Sequence, residues 1–213
     1  MKFKHVIWDW NGTLINDAQL CVEIVNSILM DMGLSPVNLD FYRDNFRFPV
    51  STYYNLIGLT ETRYDFAEIS KTFITNYRKR SSELSLQPYS FDTLSCVQQL
   101  GIQQSVLSAG LQSDVEYFLK SHGLDRFMVH FSGVDNENAE GKKVLAYSHL
   151  SKIACNPKEV LLVGDTMLDD EIAHLLSVNG LLVTNGHNSP KALKTSKSAR
   201  IPSLAYFSNW LHC

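Results

Sequence analysis

Residues 5–14 read His-Val-Ile-Trp-Asp-Trp-Asn-Gly-Thr-Leu. The run His5–Trp8 is mostly apolar and leads directly into an acid, and the pair Asn11-Gly12 is common in turns. This order predicts a short buried strand over His5–Trp8 that presents Asp9 at its carboxyl end. An acid in this position is equally explained by a turn without any chemical role, so the stretch alone indicates the fold rather than the function.

Four more short runs, rich in β-branched residues and bounded by turn residues, are typical of strands. They are Ser105–Leu107, Met128–Phe131, Val160–Val163 and Leu181–Val183. Amphipathic helical segments lie between most of them. Strands that alternate with helices imply right-handed crossovers, so the sequence predicts an α/β protein with a doubly wound, mostly parallel sheet. Ligands of such sheets bind beyond the carboxyl ends of the strands.

The alternation is interrupted once, after the first strand. Apolar residues spaced by three and four indicate helices before Gly33 and over Phe66–Tyr77, and Pro49 can start another. A helical insertion of this size is expected to cover the carboxyl edge of the sheet. The predicted domains are a core of residues 1–16 and 84–213 and an inserted helical cap of residues 17–83.

The composition excludes several classes of protein. The chain has 213 residues, of which 45% are hydrophobic and 19% charged, as in globular domains. Its net charge of −3, from 19 basic and 22 acidic residues, offers no positive field for a nucleic acid. No apolar run reaches the ~18 residues of a membrane span, and the four cysteines are too scattered for a zinc site or a disulfide framework. We therefore expect a cytoplasmic protein with reduced thiols that binds neither nucleic acid nor membrane, and the sequence does not indicate its oligomeric state.

A second acid follows the strand predicted at Val160–Val163. The strand ends in Gly164-Asp165-Thr166, and Asp169 comes four residues after Asp165. A parallel sheet brings Asp9 and Asp165 to the same edge, where two carboxylates repel each other unless a cation lies between them. Mg²⁺ takes oxygen ligands and keeps waters that a phosphate can share. The sequence therefore predicts a magnesium site at this edge.

Two further features at the same edge suit a phosphoryl group. Ser108 ends a predicted strand and is followed by Ala109, so a small hydroxyl lies beside free backbone N–H groups. Lys142 and Lys143 follow Gly141 at the start of a predicted helix and offer an ammonium group. Such donors bind the equatorial oxygens of a transferring phosphoryl group.

In this order, the motifs resemble those of the haloacid dehalogenase superfamily of phosphatases, in the phosphoglycolate phosphatase-like branch with a helical cap. The resemblance covers essentially the whole chain, with motif one at residues 9–14, motif two at Ser108, motif three at Lys142 and motif four at residues 164–169. It implies a Rossmann-like core, an α-helical cap inserted after motif one, Mg²⁺ and an aspartyl-phosphate intermediate.

The resemblance also implies roles for individual residues. Asp9 would be the nucleophile and a metal ligand, Asn11 would contact the metal through its backbone carbonyl, and Asp165 would bind the metal. Asp169 would be a further ligand or an acid that lies behind the ligands.

The phosphate-binding group implied by the resemblance consists of Ser108 and Lys142, with Thr13 and Ala109 from the same motifs. Lys143 competes with Lys142 for the role of motif three, and the motif spacing favours Lys142.

Asn11 departs from the family pattern. Most phosphatases of this family carry a second Asp two residues after the nucleophile, where it protonates the leaving group and later activates water. An amide cannot exchange a proton at useful pH, and the loss of a general acid costs about 10²- to 10⁴-fold in rate. Asn11 is therefore counted with the catalytic residues as the position at which this acid is missing.

Three interpretations follow. The first, which we favour, is a Mg²⁺-dependent phosphatase of a small phosphorylated metabolite that has a good leaving group or takes its proton from a cap residue. The second is a slow or inactive relative that binds a phospho-ligand or a protein partner. The third is another reaction of the family. Dehalogenation is disfavoured by the metal acids, and phosphonate cleavage needs a Schiff-base lysine that neither Lys71 nor Lys79 matches.

Two residues outside the motifs are weaker candidates. Arg47, in Phe46-Arg47-Phe48, could bind a substrate carboxylate or phosphate through its planar guanidinium, although packing against aromatic residues is a commoner role. His187 follows the last predicted strand on the same edge as the site, and a loop histidine without a catalytic role is the simpler interpretation.

Overall fold

The computed structural model describes residues 2–60, 62–135 and 141–212. The strands in these ranges are β1 His5–Trp8, β2 Ile15–Asn16, β3 Ser85–Leu86, β4 Gln103–Leu111, β5 His130–Val134, β6 Val160–Gly164, β7 Asn179–Val183 and β8 Ala199–Ile201. The helices are α1 Ala18–Asp31, α2 Leu39–Asn45, α3 Val50–Leu56, α4 Phe66–Lys79, α5 Ser90–Gln99, α6 Gln112–Ser121, α7 Lys142–Ser151, α8 Met167–Leu175 and α9 Phe207–His212.

Six of the strands form one sheet in the order β5-β4-β1-β6-β7-β8, and all neighbours in it are parallel. The predicted α/β class with a doubly wound parallel sheet is confirmed. The five predicted strands are all present, and β5 begins two residues later than expected. The edge strand β8 was not predicted, because only one of its three residues is buried and it has no apolar run.

The central strand β1 is buried on both faces of the sheet. Val6 and Trp8 pack into one layer of the core, and Ile7 packs into the other. This division follows from the alternation of side chains along a strand. Ile7 lies with Ala146 of α7 and Ile172 of α8, so helices of the core cover that face.

A chain of buried hydrogen bonds crosses the Ile7 side of the sheet. His5 Nε2 lies 2.7 Å from Ser105 Oγ, which lies 2.8 Å from His149 Nε2. His149 Nδ1 in turn lies 2.9 Å from Ser132 Oγ. Burial lowers the pKa of His5 to about 4 and that of His149 to about 3, so both rings are neutral at pH 7.

Along the chain, helices α1 to α4 follow β2 and precede β3. The two strands pair with each other in antiparallel orientation, with Ile15 opposite Leu86 and Asn16 opposite Ser85. The predicted helices before Gly33, after Pro49 and over Phe66–Tyr77 correspond to α1, α3 and α4. Helix α2 was not predicted, because Tyr42 is its only buried residue and it shows no apolar periodicity.

Among the described residues, no helix combines the length and apolar character needed to cross a membrane. Cys21, Cys96 and Cys155 are free thiols, and Cys213 lies outside the described residues.

Candidate active site

The ends of β1 and β6 place two acids side by side at the carboxyl edge of the sheet. Asp9 follows Trp8, and Asp165 follows Gly164 on the neighbouring strand, and both carboxyl groups are buried. The Thr13 hydroxyl donates to Asp165 Oδ1 at 2.9 Å and lies 3.4 Å from Asp9 Oδ2. Thr13, predicted to bind phosphate, therefore links the two acids in this structure.

Two glycines allow the backbone to approach Asp165 closely. A Cβ atom on Gly12 would lie 2.3 Å from Asp165 Oδ2, and one on Gly186 would lie 2.2 Å from it. Gly12 also has a φ of +74°, which favours glycine. The backbone N–H of His187 donates to the same oxygen at 2.5 Å. A larger residue at either glycine would displace the carboxylate of Asp165.

Lys142, the first residue of α7, bridges two acids. Its ammonium donates to Asp169 Oδ1 at 2.7 Å and to Asp9 Oδ1, and its side chain is 4% exposed. Lys143 is 52% exposed and pairs with Glu171 at 2.6 Å on the surface. Of the two candidate lysines, the structure brings only Lys142 to the acids.

The carboxylate of Asp169 is fully engaged. Its Oδ1 accepts from Lys142, and its Oδ2 accepts from the N–H of Thr166 at 3.0 Å and from the Thr166 hydroxyl at 2.7 Å. This capping box fixes the start of α8. Asp169 thus holds Lys142 in place and lies behind the pair Asp9 and Asp165.

The three acids form a crowded, buried set. Oxygens of Asp9, Asp165 and Asp169 lie within 4.8 Å of one another. Burial raises the pKa of Asp9 well above its usual value, while Lys142 opposes this effect. Burial likewise raises the pKa of Asp165 to about 6, with Asp169 adding to the rise. A hard cation suits these residues, because it would compensate the clustered charge with the oxygen ligands it prefers.

Ser108 and Ala109 lie inside the last part of β4, which continues to Leu111, four residues beyond the predicted strand end at Leu107. Ser108 is buried, and its Oγ accepts from the N–H of Gly110 at 2.9 Å. Ala109 and Gly110 line the same cavity as Asp9 and Lys142. Of the predicted phosphate-binding residues, Ala109 of β4 and Lys142 of α7 therefore lie at the same cavity as Asp9.

The side chain of Asn11 faces a group that the sequence analysis did not identify as part of the site. Its Nδ2 donates to Asp17 Oδ2 at 2.7 Å and to the Tyr77 hydroxyl at 3.0 Å. The Tyr77 hydroxyl also donates to Asp17 Oδ2 at 2.9 Å. Asp17 is 1% exposed and receives the N–H of Gly12 on its other oxygen at 2.9 Å.

His187 completes this group from the loop after β7. Its Nε2 lies 3.1 Å from Asp17 Oδ1, and its Nδ1 lies 2.8 Å from the Tyr42 hydroxyl of α2. Burial alone would lower the pKa of His187, but the charge of Asp17 outweighs it and raises the pKa to about 9. His187 is therefore a buried cation paired with Asp17, and the interpretation of it as a loop histidine without a role in the site was incomplete.

One signal could have identified Asp17. It precedes α1 at the N-cap position, where an Asp side chain usually accepts a hydrogen bond from its own helix. Its side chain makes no such bond in the structure. An acid of cap type at the junction between core and insertion was therefore available for a different partner, but a sequence does not reveal which one.

Arg47 does not line the cavity that contains Asp9. It is exposed, its Nε donates to the backbone carbonyl of Asn45 at 3.1 Å, and it lines a groove that contains Lys142 and Thr166. We call this groove the Arg47 groove. Asp9 is not among the described residues that line it.

A second space, which we call the Asp9 cavity, opens directly beside the predicted nucleophile. It has a volume of about 170 Å³ and lies between the sheet edge and helices α1 to α4. Its floor includes Asp9, Asn11 and Lys142, and aromatic and aliphatic side chains form most of the rest of the wall.

Fold and site together define an α/β protein with three buried acids and a lysine at the carboxyl edge of a parallel sheet. The chain belongs to the haloacid dehalogenase-like hydrolase family, whose profile matches residues 6–183. It is similar to a phosphoglycolate phosphatase of Synechococcus elongatus, with 25% identity over 191 residues that cover 89% of this chain and 88% of the relative.

Solved structures share the fold. A haloacid dehalogenase-like hydrolase from Streptococcus pneumoniae superposes with a TM-score of 0.83 at 16% identity, over 99% of both chains. A predicted phosphoglycolate phosphatase from Haemophilus somnus gives a TM-score of 0.79 at 20% identity, also over 99% of both chains. At these identities the likeness concerns the fold alone.

Proposed function

We propose that this protein is a Mg²⁺-dependent phosphatase that hydrolyses a small phosphate monoester through an aspartyl-phosphate on Asp9. The observation that supports this most is the position of Lys142 between Asp9 and Asp169, next to Asp165. Burial of a lysine and three acids is costly for a core that only has to be stable. The same arrangement suits a site that neutralises the charge of a phosphoryl group.

Asp9, Asp165 and the backbone carbonyl of Asn11 would hold the metal. When bound, Mg²⁺ supplies positive charge that lets a carboxylate approach an anionic phosphate. Asp169 serves a different purpose in this proposal, because both of its oxygens already bind Lys142 and Thr166.

The reaction follows from the residues on the cavity floor. An oxygen of Asp9 attacks phosphorus, the bond from phosphorus to the ester oxygen breaks, and that oxygen leaves with the electron pair. Lys142 and backbone N–H groups near Ser108 and Ala109 bind the equatorial oxygens of the phosphoryl group. Water then attacks phosphorus, which releases inorganic phosphate and restores the carboxylate of Asp9.

Asn11 cannot donate a proton to the leaving oxygen. Its amide is instead a donor to Asp17 and Tyr77, which holds it in one orientation. The proposal therefore favours esters whose alcohol leaves without protonation.

We further propose that residues 17–83 act as a cap over a core of residues 1–16 and 84–213. Tyr42 and Tyr77 of the insertion hydrogen-bond to His187 and Asp17 at the site, and Arg43 donates to the carbonyls of Gly186 and Thr184. These bonds close the insertion onto the core. Opening for product release would break them.

Phosphate release from alkyl, aryl and acyl phosphates, with and without Mg²⁺, tests the proposal, with Asp9→Asn as the blank. Metal-dependent release that disappears in Asp9→Asn is the expected result, with aryl and acyl phosphates ahead of alkyl ones. If no substrate gives more release than Asp9→Asn, the protein is a binder of a phospho-ligand or partner. The missing acid at Asn11 is the observation that favours this second function.

A further inference from the structure

The walls of the Asp9 cavity are apolar above a polar floor. Helices α1, α3 and α4 and the start of α6 contribute its upper lining, which includes Val25, Tyr54, Phe73, Ile74, Val115 and Phe118. Because Asp9 belongs to the floor, a phosphate that reaches this residue would direct the rest of its ester into this space. The lining therefore selects the leaving group.

The charged groups in the described part of the lining are already paired. Lys142 is bound by Asp9 and Asp169, and His187 is bound by Asp17. The remaining charged side chain of the lining is Asp114, an acid that is paired with Arg78 at 3.0 Å. The walls thus offer no uncommitted positive charge to a second anionic group of the substrate.

A carboxylate on the leaving group would be buried here without a counter-ion, which is strongly unfavourable. An apolar ring would gain by leaving water. A cavity of roughly 150 Å³ with apolar walls is known to hold a benzene ring, so about 170 Å³ has room for one ring.

We propose that the substrate class is the monophosphate ester of an uncharged phenol, with the aromatic ring seated in the Asp9 cavity. The inference rests on the proposed phosphatase function and makes it more specific. Asn11 agrees with it independently, because a phenolate leaves without the proton that this residue cannot supply.

The proposed substrate differs from phosphoglycolate, the substrate of a phosphoglycolate phosphatase, because its leaving group carries no charge. The carboxylate of phosphoglycolate would need an uncommitted cation beside Asp9, and the exposed cations Arg47 and Lys143 line the Arg47 groove instead, with Lys143 paired to Glu171. A carboxylated substrate would have to use the Arg47 groove instead.

Binding of two matched phosphonates tests the proposal without any turnover. Benzylphosphonate carries CH₂ in place of the bridging oxygen and cannot be hydrolysed, and 4-carboxybenzylphosphonate adds one negative charge at the far end of the ring. Titration calorimetry of the full chain in Mg²⁺ should show that benzylphosphonate binds at least about tenfold more tightly.

A charge placed in the wall provides the second measurement. Ile74 lines the cavity and is half-buried, so Ile74→Lys brings an ammonium to the ring without filling a fully buried position. We expect Ile74→Lys to remove or reverse the preference, and the uncharged control Ile74→Met to keep it. Arg47→Ala should leave the preference unchanged.

Equal or tighter binding of the carboxylated ligand to the wild-type protein would overturn the proposal, and so would binding of neither phosphonate. A preference that Arg47→Ala removes would also overturn it, since the ligand would then occupy the Arg47 groove. Release of phosphate that depends on Asp9 tests the phosphatase function separately. A preference for benzylphosphonate with no release from phenyl phosphate supports the ligand class and refutes the catalytic function.

Discussion

Replacement of Asn11 by Asp should destabilise the site, because it sets a second carboxylate against the buried Asp17. The Asn11 amide nitrogen lies 2.7 Å from Asp17 Oδ2, and Asp17 is 1% exposed. In Asn11→Asp, this donor becomes an oxygen that faces another oxygen. The charge-assisted hydrogen bond that is lost contributes about 1.5–3 kcal/mol.

The two negative charges add a repulsion. Carboxylates about 4 Å apart repel by about 4 kcal/mol at an effective dielectric of 20. The two effects together come to about 5.5–7 kcal/mol, which reaches the lower part of the range of about 5–15 kcal/mol for the free energy of unfolding of an ordinary domain. Protonation of one carboxyl relieves the repulsion, so the pKa of one of the two carboxyls should rise in Asn11→Asp.

Urea unfolding of the wild type, Asn11→Asp and Asn11→Ala measures this cost. Asn11→Ala loses the hydrogen bonds to Asp17 and Tyr77 without adding a charge, so the excess loss in Asn11→Asp reports the charge. The excess should be largest at pH 8 and shrink toward pH 5, because the repulsion disappears when one carboxyl is protonated. The double variant Asn11→Asp/Asp17→Asn reverses donor and acceptor and should recover most of the loss.

The activity assay then has a clear control. If the turnover of alkyl phosphates is limited only by the missing proton donor at residue 11, the double variant should raise it. The turnover of aryl phosphates should change little, because a phenolate leaves without a proton. A finding that Asn11→Asp is as stable as Asn11→Ala at pH 8 would refute the reasoning, because the two carboxylates would then not be in contact.

The remaining predictions concern the lysine, the metal and the buried histidines. Lys142→Met should lower kcat/KM by about 10²- to 10³-fold, while the surface variant Lys143→Met stays near the wild type; circular dichroism shows whether each variant is folded, and equal losses would contradict the assignment. Mg²⁺ at a hundred times its Kd should raise the free energy of unfolding by about 2.7 kcal/mol, and an unchanged gain in Asp165→Asn would exclude that residue as a ligand. The pKa values of the buried His5 and His149 are lowered to about 4 and about 3. The protein should therefore become less stable as pH falls below about 6.5, because the unfolded chain binds protons first; for His5 alone the loss is about 3 kcal/mol by pH 4. Urea unfolding across this pH range measures the effect, and a His5→Gln variant with the same dependence of stability on pH as the wild type would contradict it.

The parallel sheet was predictable because its strands carry their own signals. Val160–Gly164 is apolar throughout and ends at Gly164, and His5–Trp8 ends at Asp9. An apolar strand followed by an acid predicts a buried parallel strand and places the acid at the carboxyl edge of the sheet. Edge strand β8 lacks such a signal, because two of its three residues face solvent.

The group around Asp17 was not predictable in the same way. Asn11, Asp17, Tyr77 and His187 come from four different segments, and their contacts depend on how α4 and the loop after β7 meet the sheet edge. From the sequence, Asn11 is a departure from the family pattern at which a general acid is missing. In the structure, its amide donates to the buried carboxylate of Asp17, which is a partner that no local sequence pattern indicates.

The strand pair β2 and β3 brings the two ends of the helical insertion next to each other, with Ile15 opposite Leu86. The segment between β2 and β3, with its four helices, is thus topologically one long hairpin loop whose two ends are joined by backbone hydrogen bonds. Another insertion in place of the four helices would keep the same two anchoring strands, although it would also have to cover the part of the core that α1 to α4 now share with the sheet. Asp9, Lys142 and Asp165 would stay with the sheet, whereas Tyr42, Tyr77 and most of the cavity wall would be replaced, so the chemistry and the choice of substrate can be inherited separately.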